Sequence, residues 1–294
     1  MYIIHFTDAG ETSKEERRML LGGKGASLVE MSSDLGLSVP SGFVITTEAF
    51  HRFQKDKSLL FLEDELVQAM ALIESSTGRS FGSPDNPLLV SVRSGAPVSM
   101  PGMMDTILNL GLTDQTAVGL ERRSNPEFAS ECRSRFESMF HDIVLHKNDT
   151  QIEHIPSDVW EQLHLAVEAV FNSWDSPRAK TYREVEKIPD HYGTAVTVQA
   201  MVFGNTGNTS GTGVLFTRNP STGANELFGD FLPNAQGEDV VSGSHQTLGL
   251  DEMKKIVPNA FQELSEVATS LERITTDMCD IEFTVEEGKL WILQ

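Results

Sequence analysis

Glycine turns offer backbone N–H groups to an anion, fixed cations neutralise it, and paired carboxylates hold the divalent metal that travels with a polyphosphate. Gly22-Gly23-Lys24-Gly25 combines glycine amides with one ammonium, ahead of a run that reads as a helix whose N-terminus favours anions. The spacing is not a Walker A loop, which needs Gly, four residues, then Gly-Lys-Ser/Thr. A structural turn with a solvated lysine fits the same residues. A second segment ends a strand at Arg93 and continues as Ser94-Gly95-Ala96-Pro97-Val98-Ser99-Met100-Pro101-Gly102-Met103-Met104-Asp105-Thr106. Such a loop can fold over phosphates as a flap, with Arg93 making planar contacts that lysine cannot. A surface loop with methionines packed beneath it is the competing reading. A third segment, Ser210-Gly211-Thr212-Gly213, places glycines where a strand approaches another backbone or a ligand.

The last fifteen residues supply the carboxylates. Asp280-Ile281-Glu282-Phe283-Thr284-Val285 alternates strictly, so Asp280, Glu282 and Thr284 share one face and Ile281, Phe283 and Val285 the other. A three-residue loop at Glu286-Glu287-Gly288 sets residue 284 opposite 290, 282 opposite 292 and 280 opposite 294, which brings Gln294 to the acidic face. Two carboxylates spaced i, i+2 on a rigid strand suit Mg²⁺, which takes few protein oxygens. A surface hairpin with a solvated polar face fits as well.

These parts need scaffolding, and the chain can build it. With 294 residues at 39% hydrophobic content, it buries one large or two closely joined cores. Residues 42–46 and 88–92 read as strands, and Leu59, Leu62, Leu66, Met70 and Ile73 recur between them at helical spacing. Residues 114–183 turn helical, with Trp160, Leu163, Val167, Val170 and Phe171 on one face behind Pro156-Ser157. Beyond Pro189 the pattern becomes β-rich, so the expected division is residues 1–112 with the phosphate loops, a helical connector 113–189, and a β-rich part 190–294 with the metal hairpin. The strands expected there are 195–202, 213–217, 226–231, 280–285 and 289–294, with Phe261, Leu264, Val267 and Leu271 on a helix. There is no internal repeat or low-complexity segment.

Charge and cysteine content restrict the partners. Lys+Arg 23 against Asp+Glu 43 gives a net charge of -20, which repels nucleic acid and anionic lipid, so an anionic ligand needs a local basic pocket. Two distant cysteines, Cys132 and Cys279, indicate neither a disulfide scaffold nor a zinc site and fit a reducing cytoplasm. Residues 2–6 are too short for a signal peptide, and no run approaches a membrane span.

A series of stretches in fixed order carries a family resemblance: LLGGKGASLVEM (20–31), VPSGFVITTEAF (39–50), SVRSGAPVSMPGMMDTILNLGL (91–112), SWDSPRAKTYR (173–183), TAVTVQAMVFGN (194–205), SGTGVLFTRNPSTG (210–223), FLPNAQGEDVV (231–241) and DIEFTVEEGKLWILQ (280–294). The chain resembles the N-terminal nucleotide-binding part of the pyruvate, phosphate dikinase family. The related phosphoenolpyruvate synthases have a similar nucleotide domain, but the SMPGMMDT and NAQGEDVV stretches look more like the dikinases. The resemblance implies an α+β, ATP-grasp-like fold with two subdomains clamping ATP. It implies Lys24 and Arg93 on phosphate oxygens, Ser99, Gly102 and Thr106 in a covering loop, and Asp280 and Glu282 on Mg²⁺ with Gln294 beside them. Gln199, Met201 and Val202 would line the adenine pocket through their backbone, and Glu238 would meet ribose or metal.

The family's reaction pyrophosphorylates a histidine with ATP and releases AMP; phosphate takes the outer phosphoryl group, and the phosphohistidine converts pyruvate to phosphoenolpyruvate. Such transfers depend on positioning and charge neutralisation, with no protein base required. The swivelling phosphohistidine domain and the pyruvate barrel domain of the family are absent, and the family's full-length enzymes can pair as homodimers. A stand-alone nucleotide-binding or regulatory module is the alternative reading. Further departures are the shorter helical connector, Pro97 where a basic residue is common, Ser244-His245 in place of an arginine-containing stretch, and the lack of the Thr-Arg that usually follows Gln294.

Overall fold

The computed structural model describes residues 1–8, 10, 12–145, 154–241 and 246–294. The chain divides into two compact units: Met1–Leu35 with Ser41–Met201, and Gly36–Pro40 with Val202–Gln294. Both main sheets are antiparallel, so the fold is a mixed α/β arrangement.

The first unit contains, in order, β1 (Ile3–His5), α1 (Lys14–Val29), β2 (Gly42–Ile45), α2 (Thr47–Asp56), α3 (Glu63–Thr77), β3 (Ser80–Phe81), β4 (Pro87–Leu88), β5 (Val90–Gly95) and β6 (Thr106–Leu110). There follow α4 (Asp114–Arg123), α5 (Pro126–Phe140), α6 (Val159–Ser173), α7 (Pro177–Glu186) and β7 (Ala195–Ala200). The helices start where side chains satisfy their first amides: Thr46 accepts from the Ala49 N–H, Asp158 from Trp160 and Glu161, and Ser176, ahead of Pro177, from Ala179.

The main sheet runs β1-β2-β7-β5-β6, and its register sorts the side chains into rows. One row, Phe43, Val198, Val92 and Ile107, is apolar and fully buried. The adjoining rows, Val44-Thr197-Arg93-Thr106 and Gly42-Gln199-Ser91, point to the opposite side and are largely polar. Helix α6 brings Leu163, Ala166, Val167, Val170 and Phe171 to its buried stripe, and each large side chain there contributes about 1.5–3 kcal/mol.

The expected division at residue 190 differs from this arrangement. Strand β7 pairs with β2 and β5 in the first unit, and pairing continues as the Ala200 N–H donates to Ser41 and the Met201 N–H to Leu89. The reason lies in its alternation: Val196 and Val198 complete the apolar side of that sheet, which nothing in the flanking composition reveals. The helical stretch is likewise part of this unit, with α5 against β6 and α6 against β5, β6 and β7.

The second unit contains β8 (Gly211–Phe216), β9 (Phe228–Pro233), α8 (Gly237–Val241), β10 (Leu248–Gly249), α9 (Leu250–Ile256), α10 (Pro258–Thr275), β11 (Asp280–Glu286) and β12 (Lys289–Ile292). Its strands run β10-β9-β8-β11-β12. Leu215, Phe231, Ile281, Phe283 and Val285 are buried, as are Met253 of α9 and Leu264 and Leu271 of α10. Gly211 and Gly213 have a core reason to be glycine. A Cβ on Gly213 would lie 2.5 Å from the Phe283 ring, and one on Gly211 would lie 2.3 Å from Phe231.

The C-terminal hairpin departs from its expected register by one residue. Its loop has two residues, Glu287 (φ 51°) and Gly288 (φ 83°), so Glu286 pairs with Lys289 and Thr284 with Trp291. A two-residue turn with both residues left-handed matches the twist of the strands. Ser210 Oγ accepts from the Glu287 N–H and the Thr209 carbonyl from the Gly288 N–H, which fixes Glu287 in that conformation.

Candidate functional site

The polar side of the first sheet is where a ligand's charge could be met. Helix α1 crosses it, but not as a continuous helix: Gly22 leaves helical geometry at φ 70°, ψ 168°, and a second helical stretch begins after it. Only glycine fits, because a Cβ there would lie 1.8 Å from the Gly95 carbonyl oxygen. The Gly23 N–H donates to the Ala96 carbonyl at 2.9 Å, and Arg18 Nε donates to the Pro97 carbonyl at 2.7 Å. The two segments singled out for phosphate chemistry are thus bonded to each other. A Cβ placed on Gly95 would lie 3.8 Å from Lys24 Cβ and 3.9 Å from Thr197 Oγ1, so Lys24 stands over the end of β5. Pro97 contributes its carbonyl, as an anchor for Arg18.

Arg93 is half-buried on the same side, two residues before Gly95. Its Nε donates to Ser91 Oγ at 3.2 Å, and its Nη2 donates to Gln199 Oε1. Thr106 pairs with it across β6. Thr197, its partner on β7, is fully buried, and its Oγ1 has no hydrogen-bond partner among the described residues. A hydroxyl left this way costs about 1–3 kcal/mol unless a water or a ligand oxygen meets it.

The loop between β5 and β6 is tied at its far end. Arg178 of α7 donates from Nε to the Met103 carbonyl at 3.0 Å and from Nη2 to Asp105 Oδ1 at 2.5 Å. Asp105 is buried and Met100 packs beneath the loop, while Ser99 and Gly102 remain exposed, Gly102 at φ 69°. The loop therefore has a methionine packed below it and its small residues outward.

Of the residues expected to line an adenine pocket, two have backbone partners within the first sheet. Gln199 pairs through its backbone with Gly42 and Ser91, and the Met201 N–H is spent on Leu89. The side chain of Gln199, not its amide, faces the polar side. Sequence reasoning passed over this and over Ser91, Thr197, Asp105 and Arg178. The alternation of Thr197 and Gln199 with Val196 and Val198 was the available signal.

In the second unit, Asp280 is exposed and Glu282 half-exposed on one face of β11, about 7 Å apart by strand geometry. Thr284 leaves the expected solvated face: it is buried with its Oγ1 3.3 Å from Thr212 Oγ1. The shifted hairpin register still brings Gln294 to Glu282. The Glu282 N–H donates to the Gln294 carbonyl at 3.0 Å, while the Glu282 carbonyl accepts from Leu293 at 2.8 Å and from Gln294 at 3.4 Å. Two residues of one strand facing one of the other make a bulge. Among the described residues no three His, Cys, Asp or Glu side chains gather as a metal cluster. Two hard oxygen donors fit Mg²⁺, which fills its remaining positions with phosphate and water oxygens. Glu238 falls on α8, beside β8, β9 and β11, but its side chain is outside those described; Ser244-His245 lies outside the described residues.

A family model described as the pyruvate phosphate dikinase AMP/ATP-binding domain matches residues 18–61 and 60–259, both glycine and arginine segments included. The chain belongs to that family. Among curated relatives of this family, pyruvate, phosphate dikinase 2 of Oryza sativa subsp. japonica is 47% identical over 333 positions, covering 99% of this chain and 37% of the relative. Pyruvate, phosphate dikinase 1, chloroplastic, of Arabidopsis thaliana is 49% identical, covering 94% of this chain and 33% of its own length. The Zea mays protein of the same name is 47% identical over 99% of this chain and 35% of the relative. The chain thus spans about a third of the length of the dikinases it matches. The hairpin lies beyond the family match but within the 99% alignments, which places the metal-type carboxylates inside the likeness. No helix among the described residues is long and apolar enough to cross a membrane.

Proposed function

We propose that this chain binds MgATP in an ATP-grasp-like manner and presents it to a histidine on another domain, as the nucleotide-binding part of a pyruvate, phosphate dikinase. Lys24, Arg93 and the 99–106 loop are the candidate phosphate contacts, and Asp280 and Glu282 are the candidate metal carboxylates. The observation that supports the reading is the hydrogen bond from the Gly23 N–H to the Ala96 carbonyl, which holds the backbone of Lys24 beside Gly95, at the end of the strand that carries Arg93. A lysine and an arginine close together in a chain of net charge -20 suit an anionic ligand. Transfer of a pyrophosphoryl group breaks the bond from the α-phosphate to the β-phosphate and leaves AMP, and the protein's part is alignment and charge neutralisation.

Asp280 and Glu282, with Gln294 beside them, would hold the Mg²⁺, which supplies charge neutralisation on the bridging phosphates. Both cysteines are free, which fits a reducing compartment such as the cytoplasm. Calorimetry with ATP in the presence and absence of Mg²⁺ tests the reading. Binding is expected to be moderate with the metal and much weaker without it, and Asp280→Asn with Glu282→Gln is expected to abolish the difference. Equal binding in both conditions by the unaltered chain would remove the metal role; no binding in either would remove the nucleotide role.

A further inference from the structure

We infer that Gln199 is a positioning residue for Arg93, acting through its side-chain carbonyl on the guanidinium and not through its backbone on the base. The inference rests on the reading that Arg93 meets phosphate. Gln199 is wholly buried in the central strand of the first sheet, where an apolar residue would cost nothing and an unpaired amide about 1–3 kcal/mol. Its backbone lies in register with Gly42 on one side and Ser91 on the other, a placement that any residue's main chain could take, so the ladder does not explain the choice of glutamine.

The side chain explains it. Strand periodicity puts residues 91, 93, 197 and 199 on one side of the sheet, and Gln199 Oε1 accepts from Arg93 Nη2 while Ser91 Oγ accepts from Arg93 Nε. A guanidinium nitrogen can only donate, so the amide must present its oxygen. Two bonds to different nitrogens of a planar group fix its orientation as one bond cannot.

The chemistry of these acceptors matters as much as their position. Arg178 is held by Asp105 and Arg183 by Asp190, ion pairs whose charges cancel. The hydroxyl of Ser91 and the amide of Gln199 are neutral, so these two contacts aim the guanidinium without adding negative charge beside it. A carboxylate at position 199 would grip Arg93 more tightly and cost the phosphate its cation.

The test is calorimetry of the whole chain with MgATP and, separately, with adenosine, for Gln199→Met, Gln199→Glu, Arg93→Ala and the Gln199→Met, Arg93→Ala double variant, each with a thermal melt. Gln199→Met is expected to weaken MgATP about tenfold, leave adenosine within about twofold, and add nothing to Arg93→Ala. Gln199→Glu is expected to lose MgATP affinity while melting no lower than the unaltered chain, a combination that a merely structural glutamine would not give. Equal loss for adenosine, additive effects in the double variant, or full MgATP affinity in Gln199→Glu would overturn the assignment. If Gln199→Met does not fold, the glutamate variant decides alone. Full MgATP affinity in Arg93→Ala would overturn the phosphate reading itself, whereas a loss there with none in Gln199→Met would overturn only the role of Gln199.

Discussion

At the scale of single residues, Lys24 and Arg93 differ in geometry although both are cations. Lys24 is a point charge standing over Gly95, on a backbone that only glycine at position 22 permits; Arg93 is a planar fork held from two sides. Lys24→Ala and Arg93→Ala are each expected to weaken MgATP binding, Arg93 more, by about tenfold to a hundredfold for a charge-assisted bidentate contact of about 1.5–3 kcal/mol. Titration calorimetry alongside a melt checks this, and unaltered affinity in both variants would move the phosphate site elsewhere. The approach of the Lys24 and Arg93 segments was legible in the sequence because both stand beside glycines, where close backbone approach announces itself. Gln199 stood out in the sequence, but its side-chain bond to Arg93 did not. Which atom of a residue does the work depends on cross-strand register, and no local pattern states that Ser91 and Gln199 lie opposite each other.

At the scale of elements, a loop of small residues is only as useful as its anchors. The 99–106 loop is fixed at one end by β5 and at the other by β6, and Arg178 ties Met103 and Asp105 to the start of α7. The SWDSPRAKTYR stretch therefore matters to the loop although the two lie over seventy residues apart. Arg178→Ala removes a charged partner from a buried carboxylate and the donor to Met103. Because the arginine side chain is 47% exposed, the loss of stability is expected at about 1–2 kcal/mol, below the figure for a wholly buried pair. Hydrogen exchange at residues 99–105 is expected to quicken, with MgATP affinity falling severalfold. Unchanged exchange in that loop would show that the tether does not hold it. The hairpin teaches a related lesson. Its alternation was readable, yet its register was not, because Glu287 takes a left-handed conformation only with Ser210 and Thr209 bonded to the turn from another part of the chain.

At the scale of the whole molecule, the sequence pattern anticipated the strands around β2, β5, β7, β8, β9, β11 and β12 but not β1, β3, β6 or β10, and it grouped β7 with the second part of the chain, since an alternating strand fits any sheet with one polar and one apolar side. Its true place leaves each unit with its own chemistry: cations on the first, carboxylates on the second. The polar rows of the first sheet, Val44-Thr197-Arg93-Thr106 and Gly42-Gln199-Ser91, carry no histidine, and the chain spans about a third of the length of its dikinase relatives. The full conversion needs a group that takes the pyrophosphoryl moiety in line with its leaving oxygen and then carries a phosphoryl group to pyruvate. A pocket built on a sheet cannot travel between two substrates, so a mobile carrier has to. This chain alone is therefore expected to bind ATP yet form no phosphoenolpyruvate from ATP, phosphate and pyruvate. Adding a separately prepared phosphohistidine domain of a related dikinase is expected to start slow AMP release, limited by docking, and Asp280→Asn with Glu282→Gln is expected to suppress it. Labelled ATP makes the assay direct, since AMP and phosphoenolpyruvate separate from it by charge. Efficient product formation by the chain alone would contradict this division of labour, and undiminished AMP release by the double carboxylate variant would deny the hairpin its part in the chemistry.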